Sequence, residues 1–301
     1  MTVQLSNFQT LQSINYGVSL INAPTLWKHG FKGEGINIAV IDSGIDKEHD
    51  ELKYQIIDGY NFSSENASQP KNISDKLGHG THVAGIIAAS NKNGIIGIAP
   101  QAKLLILKVI DGNGVGDSNA LLKALNFAID WVGPNGETID VINLSLGGRE
   151  DDPSLRNAVH RAYSKNIFIV AAAGNSGDGK EDTDEILYPG YYEQVIQVSA
   201  INESLSPVAF DDTNKNIDFL APGVEIQSTY PNNSYFKMSG TSMAAPHISG
   251  SIALILNFFK VQNIPISYQR VYQYLVDHSI QIKDYSFKTQ GHGIFYFQES
   301  R

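Results

Sequence analysis

Five short runs of β-branched and other apolar residues constrain the fold of this chain more than any other feature of its sequence. They lie at residues 36–42, 103–111, 140–148, 167–175 and 194–202, and each ends in or beside Gly, Asp or Asn. Apolar runs bounded by turn residues are typical of strands that are buried on both faces of a parallel sheet. Segments with apolar residues at helical spacing lie at 81–90, 118–132, 153–166 and 242–259. This alternation predicts an α/β fold, a doubly wound, mostly parallel sheet with helices on both faces.

The predicted helices have recognisable start signals. Ser118 and Asn119 stand at the start of the second helical segment, where such side chains cap free N–H groups. Pro153 begins the third, where a missing N–H is harmless. The sequence has no internal repeat and no linker rich in Pro, Ser or Gly. We therefore predict an N-terminal extension over residues 1–20 and one domain over residues 21–301, with a helix and a strand within 267–297.

The composition of the 301 residues argues against several classes of protein. With 22 basic and 31 acidic residues the formal net charge is −9, which disfavours binding to nucleic acid or to an anionic membrane surface. The chain has no cysteine, and so no disulfide, thiolate zinc site or cysteine nucleophile. Its first residues lack the basic and apolar regions of a signal peptide, and its longest apolar segment, 249–259, is shorter than the ~20 residues of a membrane span. These features predict a cytoplasmic protein.

Four polar residues stand at the ends of predicted elements, where α/β proteins collect functional groups. Asp42 ends the first strand, His79 begins a helix, Asn175 ends the fourth apolar run and Ser242 begins the last long helix. Acyl transfer by serine requires a hydroxyl nucleophile, a base, an anion that orients the base and a donor that faces the oxyanion. Ser242, His79, Asp42 and Asn175 would supply these four groups in that order.

The segments around these residues are VIDSGID at 40–46, GHGTHVAG at 78–85, AAAGNSG at 171–177 and SGTSMAAP at 239–246. Four motifs in this chain order resemble those of the subtilisin family of serine endopeptidases, and the resemblance extends over nearly the whole chain. It implies that Ser242 is the nucleophile and that His79 is first a base and then an acid. It also implies that Asp42 holds the tautomer of His79, and that Asn175 and the backbone N–H of Ser242 bind the oxyanion. No cofactor is needed for such catalysis.

Each of these residues also has a plainer interpretation. Asp42 alone is typical of a turn, and Gly-Thr-Ser before an apolar helix is typical of an N-cap. A zinc site at His79 and His82 does not match the metalloprotease pattern, which has His at i and i+4 with an intervening Glu. We expect His82 and His247 to be packed or helix-face residues. The co-occurrence of four motifs at element ends favours a catalytic function, and a catalytically silent peptide-binding protein is the alternative.

The segment DGNGVG at 111–116 lies between a strand and a helix, where dinucleotide-binding proteins have a glycine fingerprint. The full G-x-G-x-x-G is absent, because Asp117 occupies its last position. The resemblance implies instead that Gly114 and Gly116 flank one side of an extended peptide that adds to two strand edges, with a flexible loop as the alternative. The other implied substrate-binding residues, on the second edge and in the S1 wall, are Ser145, Leu146, Gly147, Gly148, Ala173, Gly174 and Leu187.

Two further features qualify the resemblance. Leu187 stands where many members of the family have a smaller residue, so we expect a shallow S1 pocket that handles very large P1 side chains poorly. The family also implies a structural calcium ion, for which Glu51 would supply a carboxylate. However, Glu51 replaces the usual Asp, and the loop at 90–100 is one residue shorter than in secreted members. We expect the acidic segment 177–185 to be a solvated loop, with cation binding or a preference for basic substrates as alternatives.

The residues that lead into VIDSG, and the segment AAAGNSGDGKEDTDEILYPG, resemble the intracellular branch of the family. Two roles stay open for such a protein. One is a general intracellular endopeptidase, and the other is a dedicated protease that removes leader peptides from modified bacterial precursor peptides. The expected partner is therefore an extended peptide or protein substrate, with no nucleic acid and no membrane. The sequence leaves the oligomeric state open.

Overall fold

A nine-stranded sheet is the centre of the computed structural model, which describes residues 15–65 and 69–298. The strands in chain order are β1 (Asn37–Asp42), β2 (Ile56–Asn61), β3 (Lys103–Lys108), β4 (Val141–Leu144), β5 (Phe168–Ala172), β6 (Val195–Ile201), β7 (Phe219–Pro222), β8 (Ile226–Tyr230), β9 (Ser234–Met238), β10 (Ser279–Ile280) and β11 (Ile294–Phe295). The sheet order is β10-β11-β7-β6-β5-β4-β1-β3-β2, and all its pairings are parallel except β10 with β11. Strands β8 and β9 form a separate antiparallel hairpin.

Eight helices surround the sheet in the described part of the chain. They are α1 (Tyr16–Ile21), α2 (Pro24–Trp27), α3 (His79–Ala88), α4 (Ser118–Asp130), α5 (Pro153–Ser164), α6 (Thr241–Val261), α7 (Tyr268–Asp277) and α8 (Phe287–Gln290). Residues 1–14 of the predicted N-terminal extension lie outside the described residues, and the boundary predicted after residue 20 stays a prediction.

Two hydrophobic cores lie on the two faces of the sheet. On one face, helices α1, α3, α6 and α7 contribute buried side chains such as Ile86, Ile252 and Val271. On the other face, α4 and α5 contribute side chains such as Leu125 and Val159. Strands β1, β4, β5 and β6 are buried along their whole length. The prediction of a mostly parallel α/β sheet with helices on both faces is therefore confirmed.

Each of the five apolar runs contains a strand and each of the four helical segments overlaps a helix, but one predicted cap was wrong. The cap of α4 is Asp117, whose carboxylate accepts a hydrogen bond from the N–H of Ala120 at 2.8 Å. Asp117 has an extended backbone, whereas Ser118 is already helical. The side chain of the residue that precedes the helix is placed to accept hydrogen bonds from the N–H groups of the first turn.

Helix α6 is the one element that is long and apolar enough to cross a membrane on length and composition, within the part of the chain described here. In the fold, 89% of its most apolar 18-residue window is buried. It packs against α3 and against strands β4 to β7. Its apolar character is therefore accounted for by its central position in the core.

The topology brings the predicted site residues to one edge of the sheet. β1 ends at Asp42 and β5 ends three residues before Asn175, while α3 begins at His79 and α6 begins one residue before Ser242. In a parallel sheet the strands end at the same edge, where the following helices begin. Helices α3 and α6 also pack against each other.

Candidate active site

Asp42 and His79 are joined by a direct hydrogen bond at the ends of β1 and α3. The distance between His79 Nδ1 and Asp42 Oδ1 is 2.8 Å, and the Asp42 side chain is only 1% exposed. Burial lowers the pKa of His79, but the charge and the hydrogen bond of Asp42 outweigh burial and leave this pKa above its usual value. An Nδ1–H that donates to Asp42 leaves Nε2 free to accept a proton. The pair therefore has the arrangement of an oriented general base.

Glycines on both sides of His79 allow this close packing. Gly78 has a φ of +87°, and a Cβ at this position would lie 2.1 Å from the ring of Tyr230. A Cβ at Gly80 would lie 2.2 Å from the carbonyl oxygen of Gly44. The motif GHGTHVAG thus has glycine where the first turn of α3 passes against β8 and against the turn that follows β1.

Ser242 lies in the first turn of α6 and exchanges hydrogen bonds with Ser145. Its hydroxyl donates to the carbonyl oxygen of Ser145 at 3.1 Å, and the Ser145 hydroxyl donates to the carbonyl oxygen of Ser242 at 2.8 Å. No hydrogen bond joins the side chains of Ser242 and His79 in the described structure. The structure therefore brings Asp42 to His79, and Ser242 to the predicted substrate edge. The bond from Ser242 to His79 that the predicted triad requires is not formed in this conformation.

Thr241 orients the Asn175 side chain. The amide oxygen of Asn175 accepts hydrogen bonds from the backbone N–H of Thr241 at 2.9 Å and from its hydroxyl at 3.1 Å. The same hydroxyl accepts from the N–H of Gly174 at 3.1 Å. With its oxygen held in this way, the amide has its NH₂ group left to donate. The sequence analysis missed Thr241, although a hydroxyl directly before Ser242 was a signal that could have indicated it.

The residues predicted to bind substrate fall into exposed edges and buried walls. Gly114 and Gly116 are exposed, and residues 110 and 116 form an isolated antiparallel bridge. Gly147 and Gly148 are exposed as well, whereas Ser145, Ala173 and Gly174 are buried and Leu146 is half-buried. The exposed edge at Gly147 and Gly148 directly follows Ser145 and so lies close to Ser242. The substrate-binding role of both edges stays a prediction.

Leu187 packs against the second of these edges. Gly148 and Tyr188 exchange backbone hydrogen bonds of 2.9 and 2.7 Å, which hold the segment after Leu187 against this edge. A Cβ at Gly147 would lie 2.6 Å from Cγ of Leu187. The Leu187 side chain therefore lies directly against the backbone of Gly147, and a larger residue than glycine at position 147 would require Leu187 to move.

Two other histidines, His82 and His247, are buried, and each has a ring nitrogen close to a backbone carbonyl oxygen. His82 is buried, and its Nε2 lies 2.9 Å from the carbonyl oxygen of Ile226 and 3.0 Å from that of Phe236, so that it links α3 to both strands of the β8–β9 hairpin. Burial lowers the pKa of His82 to about 4. His247 is buried within α6, where its Nδ1 lies 2.8 Å from the carbonyl oxygen of Met243. Both positions agree with packed residues.

The surroundings of Glu51 do not fit a calcium ligand. Its side chain is fully buried, and its Oε2 accepts hydrogen bonds from the hydroxyl of Ser90 at 2.9 Å and the N–H of Lys92 at 2.7 Å. Its Oε1 accepts from the N–H of Asn93 at 2.6 Å and faces the Tyr235 hydroxyl at 3.5 Å. Calcium takes oxygen ligands, whereas the groups aimed at this carboxylate are donors. Among the residues described, no group of three or more His, Asp or Glu side chains is placed to hold a metal ion.

Comparison with known proteins identifies the family. The model of the subtilase family matches residues 33–293. The chain is 46% identical over 244 residues to the major intracellular serine protease of Bacillus subtilis, covering 80% of this chain and 75% of that protein. It is 40% identical over 290 residues to an intracellular serine protease of Paenibacillus polymyxa, covering 96% and 86%. It is also 40% identical over 248 residues to subtilisin DY of Bacillus licheniformis, covering 82% and 85%. The chain therefore belongs to the subtilase family and is a subtilisin-like serine endopeptidase.

Proposed function

We propose that Ser242, His79 and Asp42 act together to cleave peptide bonds, with Asn175 and the backbone N–H of Ser242 binding the oxyanion. The observation that supports this most strongly is the 2.8 Å bond between His79 and Asp42, at the edge where Thr241 orients Asn175 next to Ser242. One buried carboxylate, one imidazole with a raised pKa, one hydroxyl and one oriented amide are the groups that acyl transfer requires.

The proposed reaction has two stages, acylation of Ser242 and hydrolysis of the acyl-enzyme. Ser242 Oγ attacks the substrate carbonyl carbon while its proton moves to Nε2 of His79, and negative charge develops on the carbonyl oxygen, facing Asn175. The C–N bond then breaks, and His79 returns the proton to the leaving amine. Water repeats the sequence on the acyl-enzyme, with His79 first taking and then returning a proton. To begin, the Ser242 hydroxyl must release the carbonyl oxygen of Ser145 and turn its hydrogen toward Nε2 of His79.

The N-terminus of α6 supports this step electrostatically. Ser242 lies in the first turn of a 21-residue helix, whose unpaired N–H groups make a partial positive charge at that end. Negative charge that develops beside Ser242 is stabilised there. This contribution adds to the hydrogen bonds of the two proposed oxyanion donors.

Labelling with an organofluorophosphonate tests the proposed nucleophile. We expect the wild-type protein to be modified at Ser242 and to lose activity, whereas Ser242→Ala is not labelled. Ser239→Ala is the matched control, because Ser239 is exposed on the same segment and its hydroxyl only accepts from the N–H of Glu225. An unlabelled wild-type protein that still binds extended peptides would favour the alternative of a silent pseudoprotease.

We propose a general intracellular endopeptidase as the role of this chain. The support is its similarity to two proteins named intracellular serine proteases. Incubation with casein and with a leader-bearing precursor peptide distinguishes the two roles left open by the sequence. Cleavage of casein at many sites is expected, whereas cleavage of the precursor alone, at one site, would instead identify a dedicated leader peptidase.

The position of Leu187 supports a proposal about which P1 side chains the S1 pocket accepts. Because its side chain lies against Gly147, we propose that it shortens the S1 pocket and disfavours Phe and Tyr at P1. A peptide library analysed by mass spectrometry tests this, with Leu187→Gly as the comparison. The variant is expected to gain cleavage after Phe on the order of tenfold relative to cleavage after Ala. Preferred cleavage after Phe or Tyr by the wild-type protein would refute the proposal.

A further inference from the structure

A buried carboxylate, Asp212, lies behind the turn that contains the proposed oxyanion donor. Asp212 is 3% exposed, and its Oδ1 accepts a hydrogen bond from the backbone N–H of Ser176 at 2.5 Å. Its Oδ2 lies against Gly174, where an added Cβ would be only 2.0 Å from this oxygen. Gly174 has a φ of +122°. The carboxylate thus contacts the residues on both sides of Asn175.

Backbone hydrogen bonds join the same two segments. The N–H of Asp212 donates to the carbonyl oxygen of Gly174 at 3.1 Å, and the N–H of Gly177 donates to the carbonyl oxygen of Phe210 at 3.0 Å. The residues that flank Asn175 are therefore tied to the segment 210–212 by the backbone as well as by the Asp212 side chain. Burying a carboxylate is costly unless it is hydrogen-bonded, so the close N–H of Ser176 is needed at this position.

Two separate sets of contacts consequently determine where the Asn175 amide points. Thr241 holds the amide oxygen from the side of α6. Asp212 holds the backbone of residues 174–176 from the opposite segment. A donor stabilises an oxyanion only if it is already placed within hydrogen-bond distance of the position that the oxyanion will occupy.

We propose that Asp212 is a positioning residue for the oxyanion hole, acting through the backbone on both sides of Asn175. This inference rests on the proposed function of Asn175. Loss of the Asp212 carboxylate would let the turn shift and move the amide away from the developing charge. The shift would weaken binding of the transition state and leave binding of the ground-state peptide nearly unchanged.

Asp211 offers a matched control one residue away. It is 4% exposed, nearly as buried as Asp212, but its Oδ2 accepts from the hydroxyl of Ser199 and the N–H of Ala200, both at 2.7 Å. Its side chain therefore supports β6 and not the turn that contains Asn175. A substitution at each position removes a buried carboxylate from the same segment, but only one of them affects the turn.

The test compares Asp212→Ala, Asp212→Asn and Asp211→Ala by steady-state kinetics and melting temperature. We expect Asp212→Ala to lower kcat about tenfold or more with KM nearly unchanged, and to weaken binding of a peptide aldehyde by the same factor. A product-like peptide should bind as it does to the wild-type protein. Asp212→Asn should keep most of kcat, because its amide oxygen can accept from Ser176. Asp211→Ala, which removes the acceptor of Ser199 and Ala200, should lower the melting temperature and leave kcat unchanged.

A double-mutant cycle separates positioning from general destabilisation. In an Asn175→Ala background, Asp212→Ala should cause almost no further loss of kcat, because the group that it positions is already gone. If Asp212→Ala does not fold, Asp212→Ser replaces it, and we expect the same loss of kcat relative to Asp212→Asn. An unchanged kcat in a folded Asp212→Ala, or an equal loss with and without Asn175, would overturn the inference. A wild-type protein without peptidase activity would overturn the proposed function itself.

Discussion

Asp42 and Glu51 are both buried carboxylates, but they accept hydrogen bonds from different kinds of group. Asp42 Oδ1 accepts from the N–H of Ser43 and from His79, while its Oδ2 has no hydrogen-bond partner in the described structure. Both oxygens of Glu51 are engaged by N–H or hydroxyl donors of the loop at residues 90–93 and of Tyr235. The comparison shows that burial alone does not identify a functional acid. A carboxylate coupled to a titratable ring can respond to proton transfer, whereas one surrounded by neutral donors holds a loop.

The largest expected difference between the two carboxylates is in catalysis. Asp42→Asn should lower kcat on the order of 10⁴-fold, because an amide no longer favours the tautomer with the proton on Nδ1 of His79 and does not stabilise its cation. Steady-state hydrolysis of a chromogenic peptide measures this effect. Glu51→Gln is the matched control and should leave kcat within about twofold of the wild-type value. A loss of less than tenfold in Asp42→Asn would contradict the proposed role of Asp42.

For the stability of the protein, we expect the substitution of Glu51 to have the large effect. In Glu51→Gln, one carboxylate oxygen becomes an NH₂ group that faces N–H or hydroxyl donors of the loop, so we expect the free energy of unfolding to fall by about 2–3 kcal/mol. Denaturant unfolding measures this change. Asp50→Asn is the comparison, because Asp50 is less buried and pairs with Lys53 and Lys92 near the surface. A loss of stability in Asp50→Asn as large as that in Glu51→Gln would show that the buried donor network has no special importance.

The pH dependence of the reaction tests the coupling between Asp42 and His79. The base must be neutral, so activity should rise with pH through the pKa of His79. Because Asp42 raises this pKa, the midpoint should lie above the ordinary histidine value of about 6.5. The matching contribution to stability is present below the unfolded-state pKa and is lost as pH rises through the folded-state pKa. The labelling rate of Ser242 against pH should keep its midpoint in Glu51→Gln and shift to lower pH in Asp42→Asn. The same midpoint in Asp42→Asn as in the wild-type protein would contradict the coupling between Asp42 and His79.

The smallest expected effect is that of calcium. Because N–H and hydroxyl donors satisfy the Glu51 carboxylate, we expect the melting temperature to be nearly the same in millimolar calcium and in excess chelator. Calcium at a hundred times the dissociation constant of a native-state site would add about 2.7 kcal/mol of stability, which differential scanning fluorimetry readily detects. A clear rise of the melting temperature with calcium, absent in Glu51→Gln, would restore Glu51 as a calcium ligand.

The sequence predicted the buried part of the fold better than its exposed part. Strands β1, β3, β4, β5 and β6 lie within predominantly apolar runs, and burial on both faces leaves such a pattern. The sequence analysis missed β2, β7 and the β8–β9 hairpin. Strand β9 is at least partly exposed along its whole length, and four of the six residues of β2 are exposed or half-buried, so that neither produces an apolar run. β7 is as short as β4 but ends in Pro222, a residue that argues against a central strand.

The sequence by itself determined the identity and chain order of the four proposed catalytic groups, because their motifs are local and lie where strands end and helices begin. It did not indicate Thr241 or Asp212, nor the hydrogen bonds that satisfy Glu51. Each of these depends on atoms far apart in the chain, such as the 66 residues that separate Thr241 from Asn175. Only the tertiary structure brings such donors and acceptors together, because a hydrogen bond requires contact within about 3 Å and local sequence patterns contain no information on which distant segments meet.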